Sequence, residues 1–194
     1  MDRLSLTGTL LVATPLLRDP NFYRSVVFVI DDDPAEGTLG VIVNRPSDLE
    51  VGEVLADWGR HASHPAVMFA GGPVGTDAGL ALAEPANGQQ PLGWRSLEAM
   101  DSGVWPSGLG MVDLDAPPQL VADALRRFRV FAGYAGWSPG QLRAEIDEGA
   151  WYVLPATADD VFCDDPHGLW SRVLRRQGGE LAFVATFPDD PTLN

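Results

Sequence analysis

The run Phe131-Ala132-Gly133-Tyr134-Ala135-Gly136-Trp137-Ser138-Pro139-Gly140-Gln141-Leu142 constrains the fold more than any other stretch of the chain. It compresses a strand end, a glycine-rich turn and a helix start into one junction, with Tyr134 and Trp137 at the turn. Ser138 suits the N-cap, Pro139 the first helical position and Gln141 the return half of a capping box. Trp137 before the cap and Leu142 in the first turn are placed to form a hydrophobic staple. Such a junction fixes exposed backbone N–H groups in one place, which is one way a chain builds a binding site.

Periodicity extends this pattern on both sides. Residues 9–14 and 25–30 read as strands, the second almost continuously β-branched or aromatic, as suits burial on both faces. A polar turn at 31–37 returns the chain as a strand over 38–44, making a hairpin with a longer loop. Apolar positions 51, 54, 55 and 58 have helical spacing. Strands follow at 66–70, 79–83, 112–114, 128–134, 151–154 and 181–186. Residues 84–100, rich in Pro, Gly, Asn and Gln, are expected to be the least ordered. Asp115 is read as the cap of a helix carrying Leu120, Val121, Ala124 and Leu125 on one face. A helix over 138–148 closes at Gly149. Asp165-Pro166 opens a last helix with Leu169, Trp170, Val173 and Leu174 inward. Helices interspersed with strands and hairpins predict an α/β (α+β mixed) architecture on a mixed sheet.

The totals limit the chemistry. A chain of 194 residues with 45% hydrophobic content fits one packed domain over residues 1–194. Its net charge is -14 and every basic side chain apart from histidine is arginine. The absence of lysine excludes Schiff-base lysines and the P-loop lysine. The acidic balance repels phosphate backbones and anionic membranes. A single cysteine, Cys163, precludes an intrachain disulfide. Residues 4–17 are interrupted by Thr7, Gly8, Thr9 and Pro15 and read as a strand, not a signal peptide. No run is long and apolar enough to span a bilayer, so a cytoplasmic setting is expected, with no membrane partner.

Several motifs have two readings. Gly71-Gly72-Pro73-Val74-Gly75 follows a strand, but Pro73 removes an N–H and no helix follows, so a tight structural turn is preferred to a phosphate loop. Asn44-Arg45-Pro46 ends a strand; Arg45 either clamps an anion with its fork or makes an internal ion pair. Asp31, Asp32 and Asp33 lack the EF-hand pattern and read as a solvated turn. His61 and His64 lie in a loop with no third ligand nearby, so no metal site is expected. Cys163 beside Asp164 and Asp165 does not suit a catalytic thiolate. Arg126, Arg127 and Arg129, with Arg172, Arg175 and Arg176, are read as helix-end arginines matched to the dipole. No DNA-reading motif accompanies them, so direct nucleic-acid contact is disfavoured.

Together the segments resemble the YqgE/AlgH family of bacterial proteins. The resemblance rests on Gly8-Thr9-Leu10-Leu11-Val12-Ala13-Thr14-Pro15, Phe22-Tyr23-Arg24-Ser25-Val26, and Gly37-Thr38-Leu39-Gly40-Val41-Ile42-Val43-Asn44-Arg45-Pro46. Gly71-Gly72-Pro73-Val74, Gly133-Tyr134-Ala135-Gly136-Trp137, Gly140-Gln141-Leu142 and Trp151 complete it, in order along nearly the whole chain. It implies a bent mixed sheet forming a partly closed barrel with helices packed outside. It implies no established enzyme activity and no agreed catalytic residues; a regulatory label attaches to the family through an alginate regulator. No cofactor is expected. Two positions depart from the resembled pattern. Asp31 to Asp33 stand where a histidine is frequent, and Arg143 stands where an acid is frequent after Gln-Leu.

The functional expectation is a non-catalytic regulatory or ligand- or partner-binding module, acting on a protein partner or a small anionic molecule. The candidate ligand-binding residues are Asn44, Arg45, Gly71, Gly72, Tyr134, Gly136, Trp137 and Gln141. Arg45, Gly72, Tyr134, Trp137 and Gln141 are expected to line one concave surface. The alternative is an enzyme acting on a small anionic substrate, and a direct DNA-binding regulator ranks below both. The sequence sets no oligomeric state.

Overall fold

The computed structural model describes residues 5–87, 90–97 and 108–188. Among these, ten strands form one continuous curled sheet. They are β1 (Thr9–Ala13), β2 (Val26–Asp33), β3 (Gly37–Ile42), β4 (Pro46–Glu50), β5 (Val67–Ala70), β6 (Val74–Pro85), β7 (Trp94–Ser96), β8 (Gly110–Val112), β9 (Leu125–Trp137) and β10 (Trp151–Pro155). The helices are short: α1 (Val51–Val54), α2 (Pro118–Val121), α3 (Gln141–Asp147), α4 (Ala158–Val161), α5 (Leu169–Gln177) and α6 (Gly179–Val184). The sheet runs β10-β1-β2-β3-β9-β6-β8-β7, with β5 and β4 branching from β9. The β5–β9 pair is parallel and the others are antiparallel. The sheet is therefore mixed, and it curls into a half-barrel with helices packed around it.

Strand β9 is the spine. Its last residues pair with β3, its first two-thirds pair with β6, and Phe131 and Ala132 pair with β5. It bends at Gly133, whose φ of 69° L side chains rarely adopt. A Cβ there would sit 2.7 Å from the Gly72 carbonyl oxygen and 2.8 Å from that of Val74. Glycine is required because the segment 72–76 crosses β9 at this point.

Alternation along β1 and β2 buries both faces, as the β-branched runs predict. Leu10, Val12, Val26 and Phe28 pack with Leu169, Trp170, Val173 and Leu174 of α5. Leu11, Val27, Val29 and Ile42 pack on the opposite face with Trp137, Trp151 and Leu142 of α3. Trp58, Phe128 and Val130 anchor a third cluster under α1 and α2. Each large apolar side chain buried in these clusters contributes about 1.5–3 kcal/mol.

Several elements differ from the sequence reading. Residues 181–186, expected as a strand, belong largely to α6. Leu181, Val184 and Ala185 are spaced i, i+3, i+4 and all pack against the α5 core, which is helical periodicity. The helix expected over 51–58 stops after one turn, because Gly59 folds back on Gly52 so closely that a Cβ on Gly59 would lie 2.6 Å from the Gly52 Cα. Trp58 is thereby delivered onto Phe128, stacked at 4.8 Å. Asp115 caps no helix: its N–H donates to Asp113 Oδ1, and α2 begins at Pro118. Leu125, expected on that helix, opens β9. Regular helix in α3 starts at Gln141 with Gly140 at its N-cap, so Ser138 sits in the preceding turn. The return bond forms nonetheless, Ser138 N–H donating to Gln141 Oε1 at 3.0 Å. Helix α5 starts at Leu169, and α4, which the sequence reading lacks, precedes it. Within residues 84–100, Trp94–Ser96 forms β7, while 88–89 and 98–100 lie outside the described residues.

Candidate functional site

Seven of the eight candidate residues fall into three groups, and Gly136 stands apart. Asn44 and Arg45 bind the loop before β2. Asn44 Oδ1 accepts from Val26 N–H at 2.8 Å, and its Nδ2 donates to the Arg24 carbonyl at 2.9 Å. The Arg45 guanidinium donates to the carbonyls of Pro20, Asn21 and Tyr23. Burial lowers its pKa, partly opposed by Asp19. Trp137 and Gln141 meet at Glu145: Trp137 Nε1 donates to Oε2 at 2.9 Å, and Gln141 Nε2 donates to Oε1 at 3.0 Å. Trp151 Nε1 donates to the same Oε2, and Phe22 stacks on Trp137 at 5.8 Å.

Gly71, Gly72 and Tyr134 meet at the β5–β9 crossing. Gly71 N–H donates to the Ala132 carbonyl at 2.9 Å, and a Cβ on Gly72 would lie 2.2 Å from the Tyr134 carbonyl carbon. Gly136 is exposed on β9 opposite Leu39. The turn at Gly71-Gly72 is thus a close crossing of two strands.

Beside that crossing lies a groove with a cavity of about 820 Å³. Of the eight residues, Gly72 alone lines it. Register explains the hollow. Ala70 of β5 stands opposite Ala132 of β9, and Ala132 stands opposite Gly79 of β6. Directly paired residues share a face, so three neighbouring strands present a row of minimal side chains. Two residues along, Val130 pairs with Ala81, and Ala81 with Val112. Two further along, Phe128 is covered by Trp58. The face is therefore roofed at Phe128 and open at Ala132. Ser47, Leu49, Val54 and Leu55 form one wall, and Met111 and Leu114 stand on the other. Leu49 and Val54 are 46% and 50% exposed, so the apolar surface continues over the lip.

The polar groups at the rim are acidic. Asp77, Asp113 and Asp115 line the groove, and among the described residues no arginine does. Among the described residues, none of the three carboxylates is in an ion pair. Apart from Gly72, no residue singled out in the sequence as a ligand-binding candidate lines this groove. The signal was present in Gly79-Leu80-Ala81-Leu82-Ala83, where the smallest residues recur with period two and so mark one thin face of a strand.

Other polar centres lie elsewhere. Asp32 Oδ2 accepts from Arg143 Nη2 at 2.9 Å and from Leu6 N–H at 2.8 Å, beside a small pocket of about 80 Å³. The two departures from the resembled family thus contact each other. Arg126, Arg127 and Arg129, expected at a helix end, lie on β9. Arg127 pairs across the ladder with Glu84 at 2.6 Å. Cys163 is half-buried, and burial raises its pKa against the opposing pull of Arg129 and Arg172. Among the described residues no three His, Cys, Asp or Glu side chains gather as metal ligands. Among the described residues, no helix is long and apolar enough to cross a membrane.

Fold and groove define a class: an α+β half-barrel with an open apolar face beside its spine strand. The model of the AlgH-like family matches residues 10–182, and the chain belongs to that family. A UPF0301 protein of Thermobifida fusca is 84% identical over 194 residues, covering 100% of this chain and 98% of the relative. One of Streptomyces coelicolor is 52% identical, covering 98% and 96%. A crystal structure of a Corynebacterium diphtheriae protein superposes with a TM-score of 0.85 at 31% identity, covering 96% of this chain and 94% of that one. The solution structure of the AlgH protein of Pseudomonas aeruginosa superposes with a TM-score of 0.65 at 28% identity, covering 96% of each.

Proposed function

We propose that the protein is a non-catalytic binding module whose ligand occupies the groove above Ala70, Ala132 and Gly79. The observation that carries this reading is the row of minimal side chains, which leaves an open hollow on an otherwise packed sheet face. Pockets of this size lined mainly by apolar groups are the usual form of a binding site. The side chains of Asn44, Arg45, Trp137 and Gln141 are engaged within the chain, so they serve as framework, and Gly72 is the sequence-derived residue that reaches the ligand. The rim supplies carboxylates and no cation, so this groove does not suit an anionic substrate or ligand.

A neutral apolar fluorophore, N-phenyl-1-naphthylamine, tests the reading. Saturable binding is expected, weakened at least about ten-fold by Ala70→Trp, whose ring fills the hollow. Ala70 is exposed at the end of β5, and Ala78→Trp on the β6 lip offers a second filling variant. Thermal unfolding checks that both variants fold. No saturable binding, or binding indifferent to both variants, rejects the groove as the site.

A further inference from the structure

From the rim and the lip of the groove we infer that its occupant is an extended apolar segment of a partner protein, flanked by lysine or arginine. This rests on the groove being the binding site. Three observations carry it. Asp77, Asp113 and Asp115 line the groove without a cation among them, and Asp48, Glu50 and Glu53 are exposed along the β4–α1 wall. Arg127 is committed to Glu84 and Asp159, Arg143 to Asp32, Arg176 to Asp160, and Arg45 and Arg129 to backbone carbonyls. Arg95 reaches the back of the wall, its Nη2 3.8 Å from Met111 Sδ, but pairs with none of the rim carboxylates. An apolar surface ringed by uncompensated carboxylates selects apolar groups with cationic neighbours and rejects acidic ones.

The second observation is the lip. Exposed Leu49 and Val54 extend the apolar surface outside the hollow, which a small ligand sealed within it would leave wet. The third is the backbone of β6. Its ladder to β9 jumps from Val74 to Gly79, and its ladder to β8 spans Ala81 to Ala83. Among the described residues, 75–78 thus pair with no neighbouring strand, and Thr76, Asp77 and Ala78 line the groove, where an extended chain finds main-chain partners. A second copy is the wrong occupant electrostatically, because a chain of net charge -14 brings like charge to an acidic rim.

The fluorophore displacement assay decides this. The probes are a short synthetic peptide with a Leu/Val centre and lysines at both ends, and the same peptide with glutamate replacing lysine. At low salt the lysine peptide should displace the dye at a concentration about ten-fold lower than the glutamate peptide. The gap should close to about two-fold near 0.5 M NaCl, where exposed charges are screened. Asp77→Asn combined with Asp113→Asn should weaken the lysine peptide about five-fold and flatten its salt dependence; asparagine at 113 retains the oxygen that accepts Asp115 N–H. Equal displacement by both peptides, or by neither while the dye binds, overturns this inference and leaves the groove reading standing. Absence of dye binding removes both. A dimer in sedimentation velocity that Ala70→Trp abolishes assigns the groove to a second copy and also overturns it.

Discussion

Arg129 is 1% exposed and, among the described residues, has no carboxylate partner within hydrogen-bonding reach. Its guanidinium donates to the carbonyls of Val161 at 2.8 Å, Cys163 at 3.2 Å and His64 at 2.7 Å, and lies over Phe69 at 4.2 Å. Nε has no partner. Burial pulls its pKa down to about 10, so the group stays charged at neutral pH. One side chain thus ties β9 to the loop before β5 and to the segment after α4. Arg129→Ala removes those bonds and opens a cavity, and should cost about 3–5 kcal/mol in urea denaturation. Arg129→Met restores volume without donors and should recover about half of the loss. Full recovery by methionine would remove the hydrogen bonds from this account. The sequence shows Arg126, Arg127 and Arg129 as one basic cluster. Only a strand assignment separates them, because period two sends 127 and 129 to one face and 126 to the other.

At the scale of elements, strands were legible where β-branched residues run continuously; α1, α2, α3 and α5 were legible by type more than by extent, while α4 was missed and α6 read as a strand. β1, β2, β3, β5 and β10 fall within a few residues of their sequence-derived positions. Helix ends shifted wherever a tertiary contact outbid local signals: Gly59 on Gly52 ended α1, and pairing with β6 claimed Leu125. The groove was not legible, because it arises from register among β5, β6 and β9, and register is not a local property. The crossing at Gly133 shows how strict that register is. Gly133→Ala must adopt φ of 69° and place Cβ 2.7 Å from a backbone oxygen. Gly149 also has positive φ, at 82°, but nothing lies within 4 Å of the point where its Cβ would stand. Gly149→Ala should therefore cost about 1–2 kcal/mol, the backbone term alone. Gly133→Ala should cost at least about 2 kcal/mol more, read as the difference in urea midpoints at equal slope. Equal costs would mean that the crossing yields freely.

Across the whole molecule the charge balance of -14 acts in two opposing ways. Compaction brings like charges together, which destabilises the native state, and salt relieves that repulsion. Salt also weakens exposed ion pairs, but such pairs contribute little to begin with. The better-shielded pairs resist screening: Asp160 is 3% exposed and bound twice by Arg176, at 2.8 and 2.9 Å. Burial on its own would lower the pKa of Arg127, yet the hydrogen-bonded carboxylates of Glu84 and Asp159 raise it, so that cation is firmly held. Repulsion should therefore dominate the salt response. Raising NaCl from about 10 mM to about 300 mM at pH 7.5 should lift the unfolding midpoint by about 2–4 °C, the shift that about 1 kcal/mol produces in a domain of this size. Chloride is the proper anion, since sulfate strengthens burial in any protein. The lift should shrink as pH falls toward the isoelectric point near 4.3, where the carboxylates take up protons and the repulsion is gone. A midpoint that falls with NaCl at pH 7.5 would place the internal ion pairs above net repulsion. The pairs held by Arg127 and Arg176, away from the groove, would then outweigh the self-repulsion of the chain.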